Sequence, residues 1–158
     1  MKEEINARAT GTGLAISTKS SIEICNHLRG KKVSEAKKIL ENVIVMKSAI
    51  PYKRFNGDTG HKKNIGPGRY PQKACKEILK ILKSAEKNAD IKEMNNKLLF
   101  ISEMMANQGS RGARYGRHHG RQTKNTHIDI VLSENKEKKV VKKNDAGKEV
   151  LKEEKKKW

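Results

Sequence analysis

Between Met104 and Ile128 the chain reads MMANQGSRGARYGRHHGRQTKNTHI, a run without a single Asp or Glu. Arg111, Arg114, Arg117 and Arg121 recur at steps of three or four, and Gly109, Gly112, Gly116 and Gly120 recur with them. On an extended backbone rising about 3.3 Å per residue, that spacing repeats a guanidinium roughly every 10–13 Å. A guanidinium grips phosphate with two donors and also stacks on bases, and interspersed glycines let the backbone approach a ligand or bend. Tyr115, His118, His119 and Lys124 add an aromatic ring, two imidazoles that can stack on a base or donate to phosphate, and a further cation. On a strand the adjacent His118 and His119 would face opposite ways, which is awkward for metal binding. So long an acid-free stretch cannot pack against itself. It points to a polyanion, read here as RNA.

A second cluster lies between Ile50 and Tyr70, where Lys53, Arg54, His61, Lys62, Lys63 and Arg69 are interleaved with Tyr52, Phe55 and Tyr70. Gly57, Gly60, Gly66, Gly68, Pro51 and Pro67 argue against a regular element there. A structureless loop of this length is uncommon unless it is functional or disordered, and its composition suits nucleic-acid contact. Arg8, near the start of the chain, is a further candidate.

These residues need elements to hold them. Leu98–Met105 and Thr126–Leu132 have the strongest strand patterns; Ile128, Ile130 and Leu132 alternate with His127, Asp129 and Val131. Joined through the basic stretch they predict a long antiparallel hairpin over about 98–132. Ala7–Ser17 predicts another strand behind a basic N-terminal arm. Ser20 and Glu23 have the spacing of a capping box at the start of a short helix bearing Ile24, Cys25 and Leu28, with Gly30 as its left-handed C-terminal cap. Val33–Lys47 predicts a second helix capped by Ser34. A third begins with Pro71 at its first position, where the missing N–H costs nothing, and runs to about Asn88, followed by a polar link over Ala89–Asn96. The fold class is therefore α+β: three helices packed on a small antiparallel sheet, with a long protruding β-hairpin. Residues 1–134 form one RNA-binding domain, and 135–158, rich in Lys and Glu, form a charged tail that is disordered or loosely helical.

Composition narrows the partners. The 158 residues carry 36 Lys and Arg against 18 Asp and Glu, a net charge of +18, and only 34% are hydrophobic. That is one domain with a modest core and the charge of a phosphate-binding protein. No apolar run approaches the roughly 18 residues that span a bilayer, and the N-terminus lacks a signal-peptide core, so a cytoplasmic protein with no membrane partner is expected. Cys25 and Cys75 are read as buried apolar side chains rather than a disulfide or zinc site. No catalytic motif is present: there is no Gly-rich phosphate loop ending in Lys-Ser/Thr, no G-x-S-x-G and no H-E-x-x-H. The acids near the basic surface, Asp58 and Glu103, are isolated, which disfavours a nuclease. No enzyme, cofactor, metal or homo-oligomer is expected. A free Arg/Gly-type RNA chaperone is the competing class.

The residues also resemble a family. VSEAKKILENVIVMKSAIPYKRFNGDTGHKKNIGPGRYPQKACKEILKILKSAEKNA, Val33 to Ala89, is similar to the L-twenty-two family of large-subunit ribosomal proteins in its archaeal form. The block HKKNIGPGRYP, His61 to Pro71, and the closing THIDIVLSE are the most specific matches, and element order agrees from about Ala7 to Glu134. The resemblance implies an RNA-binding α+β domain at the outer surface of the large subunit. Its hairpin would line the nascent-peptide exit tunnel. It would contact large-subunit rRNA, neighbouring ribosomal proteins and, near the tip, the nascent polypeptide, and would aid subunit assembly. Tyr115-Gly116-Arg117 stands where the family has an aromatic or apolar residue, Gly and Arg; Arg111, Arg114, Arg121 and Lys124 would face rRNA. Gly112-Ala113-Arg114 replaces the family's Pro-Arg-Ala segment, implying a shorter tip.

Overall fold

The computed structural model describes residues 6–134. The charged tail and the residues ahead of Asn6 lie outside the described residues. Strand β1 (Asn6–Leu14) is followed by helices α1 (Thr18–Leu28) and α2 (Val33–Ile44). Three short strands come next: β2 (Ile50–Pro51), β3 (His61–Lys62) and β4 (Gly66–Arg69). Helix α3 (Gln72–Ile91) then leads to β5 (Leu99–Gln108) and β6 (Thr126–Glu134).

The main sheet is antiparallel in the order β1-β6-β5. Its central strand shows why the alternation in the sequence was informative. Thr126, Ile128, Ile130 and Leu132 are all buried, while the residues between them are not. That face meets Ile101 and Met104 of β5 and the helices, with Ile24, Leu28, Leu40, Ile78 and Leu82 enclosed between. Each such side chain contributes about 1.5–3 kcal/mol on burial. Helix α3 packs on β1 and α2, and α1 packs on β5. Gln72 Nε2 donates to the Ile44 carbonyl at 3.0 Å, and Lys37 pairs with Glu86 farther along, so α2 and α3 run antiparallel.

Several local expectations are corrected. Helix α1 starts at Thr18 with Ser17 as its N-cap. Ser20 and Glu23 therefore sit inside the helix, no capping box forms, and Glu23 is used elsewhere. Helix α2 is preceded by Lys32 rather than capped by Ser34, and it ends at Ile44; Val45 caps it and Met46 turns left-handed with φ 61°. Pro71 is the N-cap of α3 rather than its first residue. The helix runs past Asn88 to Ile91 because Ala89, fully buried, continues its apolar stripe. Strand β1 stops at Leu14, short of Ser17. The 50–70 segment is not irregular throughout: β4 pairs with β2 and with β3 in a second small antiparallel sheet. Gly30 does adopt the left-handed conformation, φ 79°, but its N–H reaches across to the Ile101 carbonyl at 2.8 Å instead of closing the helix.

Candidate nucleic-acid interface

The basic stretch leaves the main sheet as a continuation of β5 and β6. The regular ladder ends at Gln108 opposite Thr126. Backbone bonds continue outward: Gly109 N–H to Asn125 O at 3.0 Å, Thr123 N–H to Gly112 O at 2.9 Å, and Arg114 N–H to Arg121 O at 3.0 Å. Ala113 and Gln122 form an isolated antiparallel bridge between them. Asn125 Nδ2 and Thr123 Oγ1 also donate across the gap, to Ser110 O and Gly112 O. The apex is a 3-10 turn, Gly116–His118. His118 and His119 therefore lie on this turn rather than on opposite faces of a strand.

Every residue from Ser110 to Lys124 is exposed. Tyr115 is 92% exposed, the most solvent-facing of the large apolar side chains. The three ion pairs among the described residues lie elsewhere, in Arg8–Asp129, Lys37–Glu86 and Lys80–Glu77. Arg111, Arg114, Arg117 and Arg121 are thus exposed and without a carboxylate partner among the described residues. Desolvating phosphate binders that are already committed to protein carboxylates would be costly; these are not committed.

Along the flank of the hairpin, Arg114 and Lys124 share the wall of a cavity of about 590 Å³ with Ser17, Ser20, Gln72 and Lys73. The first turns of α1 and α3 border it, and neither has a side-chain cap bond. Uncapped first turns present free N–H groups and a partial positive charge, which favours an anion. Nothing in the sequence linked Ser17, Ser20 and Lys73 to the hairpin; three separate elements bring them together.

The second basic cluster divides in two. Lys53, Arg54, His61 and Lys63 are exposed. Arg69 is spent inside its own loop, donating to Thr59 Oγ1 at 3.1 Å and to the carbonyls of Gly57 at 3.2 Å and Asp58 at 3.0 Å. Lys62 lies over the Tyr70 ring, 5.5 Å from its centroid, and Arg69 lies 5.8 Å from that of the buried Tyr52. These aromatics hold their own cations in place. Phe55 lies between Lys19 of α1, at 5.8 Å, and Arg54, at 5.3 Å. Lys19 is a cation of this face that sequence reasoning did not single out. Arg8 sits on β1 and donates to Asp129 at 3.3 Å, so part of its charge is already answered. His27 of α1 is half-buried beside Lys31 and Lys53. Burial holds its imidazole below the usual range, and the two lysines add to the effect.

Comparison with known proteins agrees with this arrangement. The profile of the family described as ribosomal protein L22p/L17e matches residues 9–133. The large ribosomal subunit protein uL22 of Methanococcoides burtonii is 36% identical over 137 residues, covering 83% of this chain and 91% of the relative. That of Methanosphaera stadtmanae is 41% identical over 140 residues, covering 84% and 91%. That of Thermoplasma volcanium is 44% identical over 107 residues, covering 68% and 72%. With the profile spanning both sheets, all three helices and the basic hairpin, the chain belongs to the ribosomal protein L22p/L17e family.

Proposed function

We propose that this chain is a structural constituent of the large ribosomal subunit that binds large-subunit rRNA and helps the subunit assemble, with its hairpin lining the nascent-peptide exit tunnel. The relatives are large ribosomal subunit proteins, and this chain is read likewise as a structural component of a cytoplasmic ribosome and not an enzyme. The observation that carries the RNA reading is the hairpin. From Ser110 to Lys124 every residue is exposed, none is acidic, and the arginines have no carboxylate partner among the described residues. A protein exposing so much uncompensated charge on an ordered finger is matched to a folded polyanion. The contact set comprises Arg111, Arg114, Tyr115, Arg117, His118, His119, Arg121 and Lys124 on the hairpin, and Lys53, Arg54, His61 and Lys63 on the basic loop. Arg8, Lys62 and Arg69 contribute from positions partly fixed by the protein itself. Phosphate contacts set affinity and the finger's shape selects the site, with Tyr115 available to stack on a base or meet the nascent chain.

The test is incorporation. In cells expressing a tagged copy, R114E/R117E should be missing from large subunits separated on gradients, while the wild-type copy is present at one per subunit. Normal incorporation of the double variant would sink the role given to the hairpin. The competing reading, a free Arg/Gly-type chaperone, is separated by the same gradients: a chaperone washes off during purification, whereas a constituent stays with the subunit in stoichiometric amount.

A further inference from the structure

We infer that Glu23 is the positioning residue of the basic loop: a buried anion that sets where Lys53, Arg54 and Phe55 meet RNA. This rests on the RNA-binding reading above. Glu23 is 2% exposed, among the buried residues of α1 together with Ser21, Ile24, Cys25 and Leu28. Both of its oxygens accept from the loop. Oε2 takes the N–H of Lys53 at 3.2 Å, and Oε1 takes those of Arg54 at 2.8 Å and Phe55 at 2.7 Å. Three consecutive N–H groups cannot converge on one carboxylate from a strand, where they alternate in direction. The carboxylate therefore selects a nest-like turn at this point, as a bound anion does.

Burying a carboxylate is costly, and an apolar residue would fill this face at lower cost. The position also has an electrostatic consequence. Glu23 lies beside two cations yet forms no ion pair with either, so it holds their backbone and leaves both side chains exposed. The same turn brings Phe55 between Lys19 and Arg54, joining cations of α1 and of the loop on one face. Beside it, Arg29, Lys31 and Lys53 line a cleft of about 340 Å³. A flexible loop would have to order these groups when RNA binds; the clasp orders them beforehand.

The experiment uses the full chain and transcribed large-subunit rRNA. E23Q keeps the size of the side chain but turns one acceptor into a donor, so it cannot receive all three N–H groups. E23Q should bind roughly tenfold more weakly. R54A should weaken the wild type several-fold yet change E23Q little, because the loop is already misplaced. R117A, on the hairpin, should weaken both by the same factor. Equal losses from R54A in the two backgrounds, or wild-type affinity in E23Q, would overturn the inference. Amide hydrogen exchange of the unbound wild type is the second arm. The amides of Lys53, Arg54 and Phe55 should exchange slowly although they meet no backbone acceptor, and fast exchange overturns the clasp whatever the variants do. Failure of the wild type to bind rRNA would count instead against the function proposed above, with the exchange arm still reading the clasp.

Discussion

Burial pushes the thiols of Cys25 and Cys75 up to about 12. Only the thiolate is nucleophilic, so neither should react while the protein is folded. Iodoacetamide at about pH 8 should label neither cysteine in native buffer and both in concentrated urea. Labelling of native protein, read by mass spectrometry, would contradict the packing around α1 and α3. The cationic side chains obey the same rule of surroundings. Arg69, with three acceptors in its own loop, and Arg8, beside Asp129, are held by the protein. The hairpin arginines are not. Residue type made all of them candidates; only the positions of their neighbours divide them into those held by the protein and those left exposed.

The hairpin depends on close approach at its root. Gly109 is buried, and a Cβ there would lie 2.7 Å from His127 Nε2 and 2.8 Å from Asn125 Cγ. Those side chains are not free to yield, because Asn125 spans to Ser110 and His127 Nδ1 accepts from Gly13 N–H. G109A should therefore cost about 1–3 kcal/mol in urea unfolding, as overpacking does. G120A, whose Cβ would meet nothing within 4 Å, should be near neutral. Equal effects of the two substitutions would remove the root from the account. The elements differ in how far their sequences disclosed them. The alternation in β6 and the stripes of α2 and α3 were readable because burial imposes a period on the chain. The strands between Ile50 and Arg69 were not, since two to four residues rich in Gly and Pro carry no period and are strands only because β4 lies between β2 and β3. Ser20 and Glu23 were misassigned for a related reason: the capping pattern is local, whereas the partners of Glu23 lie 30 or more residues away.

At the scale of the molecule, a net charge of +18 means that association with RNA is driven largely by release of counterions. With six or more phosphates neutralised, affinity for large-subunit rRNA should fall at least about a thousandfold between roughly 50 and 200 mM salt. R111A, R114A and R117A should each flatten the slope of log K against log salt by up to about one. A slope near zero would mean that shape or stacking, not phosphate, dominates. The chain by itself pointed to a polyanionic partner, because charge composition and the absence of acids from 104–128 are properties of the sequence alone. It also determined the α+β class and the family, through period and motif. Tertiary structure alone decided which cations are already engaged, that the first turns of α1 and α3 meet the flank of the hairpin at one cavity, and that a glutamate of α1 holds the basic loop. These depend on contacts between residues distant in the chain, and such contacts leave no local pattern to read.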